Sequence, residues 1–274
     1  MNWVWIIAII IVGVFLLYLY AILPSLRKRP KEAELFCKYY AHRGLHDNQT
    51  EVPENSMLAF IKAKDAGYGI ELDVQLSKDN MVVVFHDEAL KRVCNQIGNV
   101  RDYTYKELQE FALLDTKEYM PLFSEVLKEI DGKIPLLVEI KIHENAEKVC
   151  SKVNEILENY KGPYVIESFH PLAVAWYKKH RADILRGQLS TNLRKDNNGK
   201  YSLSYFFVQH LLFDFLTKPD FISYSHKYRK AKALFITTKC FGAIPVAWTI
   251  KNQDELDQCK KYFQYFIFEG FIPQ

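Results

Sequence analysis

The chain has 274 residues, with 36 Lys and Arg against 33 Asp and Glu, and a formal net charge of +3. This near-neutral balance leaves no electrostatic footprint for nucleic acid, so we expect no nucleic-acid partner. The five cysteines are scattered without a CxxC pair, a pattern that favours free, mostly buried thiols in a reducing compartment over a disulfide framework. They are Cys37, Cys94, Cys150, Cys240 and Cys259.

The first predicted element is an apolar helix. Residues from Trp3 to Leu23 carry no charge. As a helix, this run is long enough to cross a hydrocarbon core of about 30 Å. Aromatic residues near both ends of this run are typical of the membrane interface. The run lacks a basic start and exceeds the usual apolar length of a signal peptide, so a retained anchor is favoured over a cleaved signal. A buried core helix is the other alternative. We therefore expect residues 1–25 to form a transmembrane anchor.

Basic residues follow this run directly and none precedes it; they are Arg27, Lys28, Arg29 and Lys31. The positive-inside rule then predicts a single-pass protein of the cell membrane whose globular part faces the cytoplasm. Binding of anionic headgroups is an alternative role for the same cluster. We interpret residues 26–38 as a basic juxtamembrane linker and residues 39–274 as one domain, because no Gly/Ser/Pro-rich stretch or internal repeat divides them.

Strand-like runs then alternate with amphipathic helical runs, which begin with helices at 53–67, 105–114 and 121–130. Only three residues separate the second strand from the run at 81–87, too few for a crossover helix, so these two runs should form an antiparallel hairpin that returns His86 to the mouth of the fold. Eight strands in alternation with helices predict an α/β fold, a TIM (β/α)8 barrel with a β-hairpin extension. The eight strands are 39–44, 68–77, 134–142, 164–169, 184–190, 221–226, 244–250 and 265–269.

Three carboxylates form a candidate metal site. Glu71 and Asp73 are two residues apart on one strand, so both side chains project to the same face. Glu139, on another strand, would supply a third oxygen ligand. Oxygen-only ligands suit Mg²⁺ or Ca²⁺ rather than zinc. Ion pairs of Glu71 and Asp73 with Arg43 and Lys141 are the alternative.

Two histidines and two cations accompany these carboxylates. His42 and His86 each precede a charged residue, and together they are candidates for proton transfer; a hydrogen-bonded structural role is the alternative for either one. Arg43 offers a planar fork and Lys141 a mobile point charge, which suits both to binding an anionic group. Lys141 follows Glu139 by two residues, so both should face the same end of the barrel.

Together these motifs resemble the glycerophosphodiester phosphodiesterase family. The resemblance implies a TIM barrel that uses a divalent cation, Mg²⁺ or Ca²⁺, to hydrolyse glycerophosphodiesters to sn-glycerol 3-phosphate and an alcohol. It extends over nearly all of residues 39–274 and rests on Ala41-His42-Arg43-Gly44, Pro53-Glu54-Asn55-Ser56, Ile70-Glu71-Leu72-Asp73, Phe85-His86-Asp87, Leu137-Val138-Glu139-Ile140-Lys141, Glu167-Ser168-Phe169 and Val246-Ala247-Trp248-Thr249.

The resemblance also implies roles for individual residues. His42 would take a proton from the glycerol hydroxyl that attacks phosphorus, and His86 would protonate the departing alcohol before water opens the cyclic phosphate. Which histidine plays which part stays open. Trp248 would form an aromatic wall for the glycerol, with a core position as its alternative. The metal ligands would be Glu71, Asp73 and Glu139.

One departure and one substrate clue remain. Glu269 stands where the family often has the aspartate of a Thr-Asp-x-Pro-like turn, and its longer side chain leaves a role at the site open. Residues 201–216, rich in Phe, Tyr and Leu, predict a helix packed on the barrel or, alternatively, a membrane-facing lip that admits lyso-lipids. The alternative functions are accordingly a lysophospholipase D or a non-catalytic, membrane-tethered module that binds headgroups. The pair of histidines argues against the latter, since binding alone needs no acid and base.

Overall fold

Nine strands form one sheet that closes on itself. The computed structural model describes residues 3–28, 37–196, 198–199 and 202–274. The strands are β1 (Tyr39–His42), β2 (Gly69–Leu76), β3 (Val82–Val84), β4 (Leu136–Ile140), β5 (Tyr164–Ser168), β6 (Arg186–Ser190), β7 (Phe221–Ser225), β8 (Ile244–Ile250) and β9 (Tyr265–Phe268).

Eight of these strands are parallel and make a complete ring. Each pairs with the next barrel strand, and β1 closes the ring by pairing with β2 on one side and β9 on the other. Strand β3 pairs antiparallel with β2, with Val74 opposite Val84. The predicted eight-stranded barrel and its hairpin extension are thus confirmed. The strand alternation dictates this outcome, because parallel neighbours need the crossover segments that the intervening helices supply.

The helices vary in length, and the longer ones that follow the N-terminal helix pack outside the barrel. Short 3₁₀ turns occur at Val100–Asp102 and His226–Tyr228, and a π-helical turn occurs at Ile236–Cys240. The α-helices are α1 (Trp3–Ala21), α2 (Met57–Asp65), α3 (Lys91–Cys94), α4 (Tyr105–Leu108), α5 (Phe123–Ile130), α6 (Ala146–Leu157), α7 (Pro171–His180), α8 (Leu193–Asp196), α9 (Leu203–Gln209), α10 (Asp214–Thr217), α11 (Lys232–Phe235) and α12 (Gln253–Cys259).

Three predicted helices differ from the observed ones. The helix expected over 53–67 begins only at Met57, because the Ser56 hydroxyl caps it by accepting from the Ala59 amide. The helix expected over 105–114 ends at Leu108, and the chain turns at Leu114 with φ +50°. The helix expected over 201–216 is broken into α9 and α10 by a turn that contains Leu211, φ +58°; Tyr201 lies outside the described residues.

The inside of the barrel is apolar at one end and charged at the other. Because inward positions recur every second residue, Leu137 and Glu139 of β4 both point inward, as do Val165 and Glu167 of β5. Leu137 and Val165 belong to a buried apolar cluster that also contains Phe221. This cluster fills the barrel at the amino-terminal ends of the strands. The charged residues therefore collect at the carboxyl ends, where active sites of this fold lie.

The segment after α1 is packed against the barrel. No residue of α1 is buried, and by length and composition this helix could cross a membrane. Ile22, by contrast, is fully buried, and the Ser25 amide donates to the Pro219 carbonyl at 2.9 Å. Arg27 binds the buried Asp220 carboxylate through two hydrogen bonds of 2.9 and 2.7 Å. Arg29 and Lys31 of the predicted linker lie outside the described residues.

Candidate active site

The three predicted carboxylates lie together at the carboxyl end of the barrel. Asp73 of β2 is directly opposite Glu139 of β4 in the sheet register, and Glu139 is opposite Glu167 of β5. One carboxylate oxygen each from Glu71, Asp73 and Glu139 lies within 4.8 Å of the others, and all three residues are buried. Every second side chain of each strand points inward, and the register of adjacent strands places these acidic groups together, where they repel each other.

The acidic groups of the cluster differ in the direction of their pKa shifts. Burial, together with the Asp73 and Glu139 charges, raises the pKa of Glu71 well above its ordinary value. Burial also raises the pKa of Glu167 to about 8. Burial alone would raise the pKa of Asp73 too, but Lys141 and other nearby cations hold it well below its usual range. The site therefore contains more acidic groups than its own cations neutralise.

Lys141 occupies the centre of this cluster. Its Nζ lies 2.9 Å from Asp73 Oδ1 and 2.7 Å from Glu139 Oε1. Although burial lowers the pKa of a lysine, the two carboxylates raise that of Lys141 above its ordinary value, so it is charged. Of the ion pairs that the sequence left as an alternative, that of Asp73 with Lys141 is thus present, and its carboxylate also belongs to the candidate metal site.

A divalent cation fits the residues at this site. Three carboxylates from two adjacent strands form an oxygen-only donor set, which is the set that hard cations prefer. The Asn55 side-chain amide donates to Asp73 Oδ2 at 2.8 Å, while the Oδ1 atom of the same side chain is buried without a hydrogen-bond partner. An acidic cluster with an unsatisfied oxygen beside it is what a cation would stabilise.

Arg43 lies beside the cluster, in a turn with left-handed backbone conformation. Arg43 has φ +55° and precedes Gly44, φ +81°, where an added Cβ would come within 2.8 Å of Ala59. This left-handed turn directs the Arg43 amide at Glu71 Oε2, 3.0 Å away. The guanidinium contacts Glu54 Oε1 at 2.5 Å and approaches Asp73 Oδ2 at 3.5 Å. Arg43 is therefore held at the rim of the carboxylate cluster.

Glu54 joins Arg43 to a second arginine. Arg92 donates to both oxygens of Glu54, at 2.8 and 2.7 Å, and to Asp87. Burial would raise the pKa of Glu54, but the hydrogen bonds and charges of the two arginines lower it to about 2. Asn48 donates a further hydrogen bond to this carboxylate. Glu54 does not cap the following helix, and its side chain instead positions Arg43.

His42 contacts acidic residues on both sides of its ring. Its Nδ1 lies 2.7 Å from Glu269 Oε2, and its Nε2 lies 3.9 Å from Glu71 Oε2. Burial lowers the pKa of His42 to about 4, against the opposing effect of Glu269. Since a neutral imidazole accepts protons, this environment favours a base. The hydrogen bond from His42 outweighs burial and lowers the pKa of Glu269 to about 2.

His86 reaches the site because of the hairpin. The Phe85 amide donates to the Asp73 carbonyl, and Gln75 Nε2 donates to the carbonyls of Phe85 and Asp87. His86 Nδ1 lies 2.6 Å from Asp87 Oδ1, and its ring is half exposed. The Phe85 bond, 2.9 Å long, holds the residue before His86 against the backbone of Asp73 and so brings His86 to the same end of the barrel. It is thus the more accessible of the two histidines.

Trp248 stands at the rim on β8. Its indole Nε1 donates to the Ser223 carbonyl at 3.1 Å. Its ring meets Phe169 edge to face, with 5.5 Å between centroids. It is half buried, so it is neither a core residue nor a free surface residue.

The comparisons with known proteins agree with this geometry. The sequence model of the glycerophosphoryl diester phosphodiesterase family matches residues 42–265. The chain belongs to this family. The family match includes every residue of the candidate site except Glu269, and the resemblance drawn from the motifs is confirmed.

Two curated relatives illustrate the range of the family. A glycerophosphodiester phosphodiesterase of Bacillus altitudinis is 36% identical over 154 residues, which is 52% of this chain and 62% of the relative. A lysophospholipase D of Homo sapiens is 32% identical over 150 residues, which is 50% of this chain and 46% of that protein. The chain thus spans less than two thirds of the length of these relatives.

Solved structures of the family share the fold. A phosphodiesterase of Oleispira antarctica, in complex with the product sn-glycerol 3-phosphate, has a TM-score of 0.68 at 21% identity and covers 85% of this chain and 92% of its own. A glycerophosphodiester phosphodiesterase of Thermotoga maritima has a TM-score of 0.65 at 24% identity, covering 85% and 94%. These similarities support the barrel architecture over most of the chain.

Sequence reasoning found most of the clustered residues but missed several of their partners. All eight predicted residues lie at the carboxyl end of the barrel, and Glu269 joins them in spite of its longer side chain. Glu167 was visible only as part of a motif, although its place two residues after the inward-facing Val165 was a usable signal. Arg92 carried no sequence signal, because its role depends on where α3 packs.

Proposed function

We propose that this chain is a metal-dependent phosphodiesterase that hydrolyses glycerophosphodiesters to sn-glycerol 3-phosphate and an alcohol. The observation that carries the proposal is the convergence of three carboxylates, two cations and two histidines within one end of the barrel. A binding module for headgroups needs the cations but has no use for two histidines that each hydrogen bond a carboxylate. The proposal therefore favours catalysis.

Glu71, Asp73 and Glu139 would hold Mg²⁺ or Ca²⁺. When bound, the cation would neutralise the phosphate charge and stabilise the charge that develops on its oxygens. Lys141 and Arg43 would bind the phosphate from the protein side. Lys141 is a buried, charged point donor, and Arg43 presents a fork that Glu54 holds in place.

His42 and His86 would move the protons. In the first step His42 takes the proton of the glycerol hydroxyl next to the phosphate, that oxygen bonds to phosphorus, and the bond from phosphorus to the alcohol breaks. His86 donates a proton to the departing alcohol. In the second step water opens the cyclic phosphate and the histidines exchange roles. Glu269 orients His42 and Asp87 orients His86 through the hydrogen bonds at their Nδ1 atoms.

Trp248 would form one wall of the glycerol site. Its ring is held by the Ser223 hydrogen bond and by Phe169, so a small polar molecule would meet a fixed aromatic surface. Residues 1–25 would anchor the barrel of residues 39–274 to the cell membrane through a single span, with residues 26–38 as linker and the catalytic domain in the cytoplasm.

The activity is tested with the purified full chain in a membrane mimetic. We expect release of sn-glycerol 3-phosphate from glycerophosphocholine, its loss with EDTA, and its recovery with Mg²⁺ or Ca²⁺. Glu139→Gln should raise the cation concentration needed for half activity, whereas Glu147→Gln on the exposed face of α6 should not. A folded protein that releases nothing from any of several glycerophosphodiesters and lyso-lipids, with either cation, would overturn the proposal.

The orientation is tested with a natural thiol. Among the five cysteines, Cys240 is exposed on the barrel. A membrane-impermeant maleimide should label the protein only after cells are permeabilised, and Cys240→Ser should remove that labelling. Labelling of Cys240 in intact cells would place the barrel outside and contradict the positive-inside prediction.

A further inference from the structure

A cationic cavity of about 650 Å³ lies at the base of α1, on the outer side of the barrel. Its wall is formed by Tyr18 of α1, the end of α9 and the segment between β7 and α11. Four basic residues line it, and none of its described lining residues is acidic or belongs to the candidate active site. Such a wall attracts anions, because its charges share one sign. The basic residues are Lys227, Arg229, Lys230 and Lys232.

The cations of this cavity lack acidic partners. The segment from His226 to Cys240 contains no Asp or Glu, and among the described residues none of the four cations forms an ion pair. The Nε of Arg229 is buried without a hydrogen-bond partner. The Asp196 carboxylate accepts from the Tyr228 hydroxyl at 2.7 Å, and Lys195 lies 5.9 Å from the centroid of the same tyrosine ring. A net positive charge therefore remains at the cavity wall.

The path of the chain after α1 shows which end of the barrel faces the membrane. Tyr18 lies with Asn192 and Tyr228, which follow the carboxyl ends of β6 and β7. Arg27 binds Asp220, which precedes the amino-terminal end of β7. The chain between Tyr18 and Arg27 thus runs along the barrel away from its carboxyl end. With α1 as the proposed anchor, the carboxyl end and the cavity beside it face the membrane.

Exposure along α1 locates the cavity at the level of the lipid headgroups. Leu16 and Leu17 are 58% and 67% exposed, whereas Ile22 is fully buried against the barrel. Tyr18, which lies between them in sequence, is partly buried in the cavity wall. A span of about 20 apolar residues that begins at Trp3 ends near this point, and tyrosines are typical of the membrane interface. The cavity therefore opens where the headgroups of the adjacent leaflet lie.

We propose that this cavity binds the phosphate headgroup of an anionic membrane phospholipid, as a second contact of the protein with the membrane. The inference goes beyond the proposed reaction, since no bond changes here, and it rests on the proposed anchor. Lys227 and Lys230 would meet the phosphate as mobile point charges. Arg27 cannot take this role, because Asp220 binds it at the opposite end of the barrel. Since a single span can tilt in the bilayer, the bound lipid would fix the tilt of the barrel.

The first test measures lipid selectivity. The full chain in a neutral detergent is given equal concentrations of phosphatidylglycerol and phosphatidylcholine, and native mass spectrometry counts the lipid that stays bound. We expect one phosphatidylglycerol per chain and no phosphatidylcholine. Equal retention of both lipids would overturn the inference. Displacement of phosphatidylglycerol by millimolar inorganic phosphate would also overturn it, because the cavity would then bind a soluble anion.

The second test places that lipid in the cavity. Lys227→Gln and Lys230→Gln should each weaken phosphatidylglycerol binding about fivefold, which corresponds to about 1 kcal/mol per basic residue at a membrane surface. Both side chains are exposed, so both variants should keep the unfolding midpoint of the wild type. Lys239→Gln is the matched control, because Lys239 is exposed on the same segment but outside the cavity wall. An equal loss with Lys239→Gln, or none with the cavity variants, would contradict the assignment.

A third measurement separates this inference from the anchor and from the reaction. Both cavity variants should stay in vesicles of phosphatidylcholine and phosphatidylglycerol after alkaline extraction, and both should hydrolyse glycerophosphocholine at the wild-type rate. Extraction of the wild type would overturn the anchor and this inference with it. Equal binding of the two lipids by a protein that resists extraction would overturn this inference alone. A chain that selects phosphatidylglycerol but hydrolyses no diester would overturn the proposed function and leave this inference standing.

Discussion

His42 and Glu269 are 227 residues apart in sequence, yet their side chains hydrogen bond at 2.7 Å. His42 ends β1, the first strand of the barrel, and Glu269 directly follows β9, the last. Pairing of β1 with β9 brings the two residues side by side. Closure of the barrel thus also completes the candidate active site, since a chain that failed to close would leave His42 without its partner.

The first prediction concerns this pair. Glu269→Gln keeps the shape of the side chain but removes the charge that orients the His42 ring, and a hydrogen bond to a charged group is worth about 1.5–3 kcal/mol. We expect kcat to fall by about 10- to 100-fold with little change in KM. Steady-state kinetics on glycerophosphocholine measure both constants. An unchanged kcat would show that Glu269 does not position His42. Glu147→Gln serves as the surface control.

The second prediction concerns the half-exposed histidine. His86→Ala removes the group proposed to protonate the departing alcohol, and positioned general acids contribute about 10²- to 10⁴-fold. We expect kcat to fall within that range for substrates with a poor leaving group. The loss should be much smaller with p-nitrophenol as the leaving group, because that alcohol needs no proton. His180→Ala, at the far end of α7, should have full activity. A loss below about tenfold on glycerophosphocholine would argue against proton transfer by His86.

The third prediction is a pH dependence of stability. The pKa of Glu54 is about 2 in the folded protein and 4.5 in its ordinary state. Because the pKa of Glu54 is lower in the folded protein, the ionised carboxylate stabilises the fold above about pH 4.5. This stabilisation is lost as the pH falls towards 2. Its magnitude is up to about 3 kcal/mol, at about 1.4 kcal/mol per pKa unit. Denaturant unfolding of the wild type and Glu54→Gln should give a difference at pH 7 that shrinks steadily below pH 4.5. A difference independent of pH would contradict this explanation.

The fourth prediction concerns the attachment of the N-terminal segment. Asp220 is fully buried and receives two hydrogen bonds from Arg27. Arg27→Leu would leave this carboxylate with the more distant Arg186, and unpairing a buried charge costs about 3–5 kcal/mol. We expect a large loss in the free energy of unfolding, which Asp220→Asn in the same chain should partly restore. Lys28→Leu should have almost no effect. If Arg27→Leu were equally mild, the ion pair would not stabilise the attachment.

Some of these relationships were visible in the sequence for a simple reason. The two-residue period of strands places Glu71 with Asp73, and Glu139 with Lys141, on shared faces before any contact is known. The three residues predicted between the second strand and the run at 81–87 are too few for a helix, so the hairpin and the return of His86 also follow from local geometry. The helices were less predictable. The expected helix over 105–114 ends early because the chain turns back at Leu114, a tertiary requirement that its own apolar pattern does not contain.

The sequence by itself determined the alternation of strands and helices, the apolar N-terminal helix, and the chemical types that collect at the carboxyl ends of the strands. These features depend on side-chain period and composition, which are local. Only the tertiary structure decided that Glu54 joins Arg43 to Arg92, that Glu269 binds His42, and that Arg27 pairs with Asp220. These contacts arise when the barrel closes and the segments around it pack, and no local pattern encodes which distant residues that packing brings together.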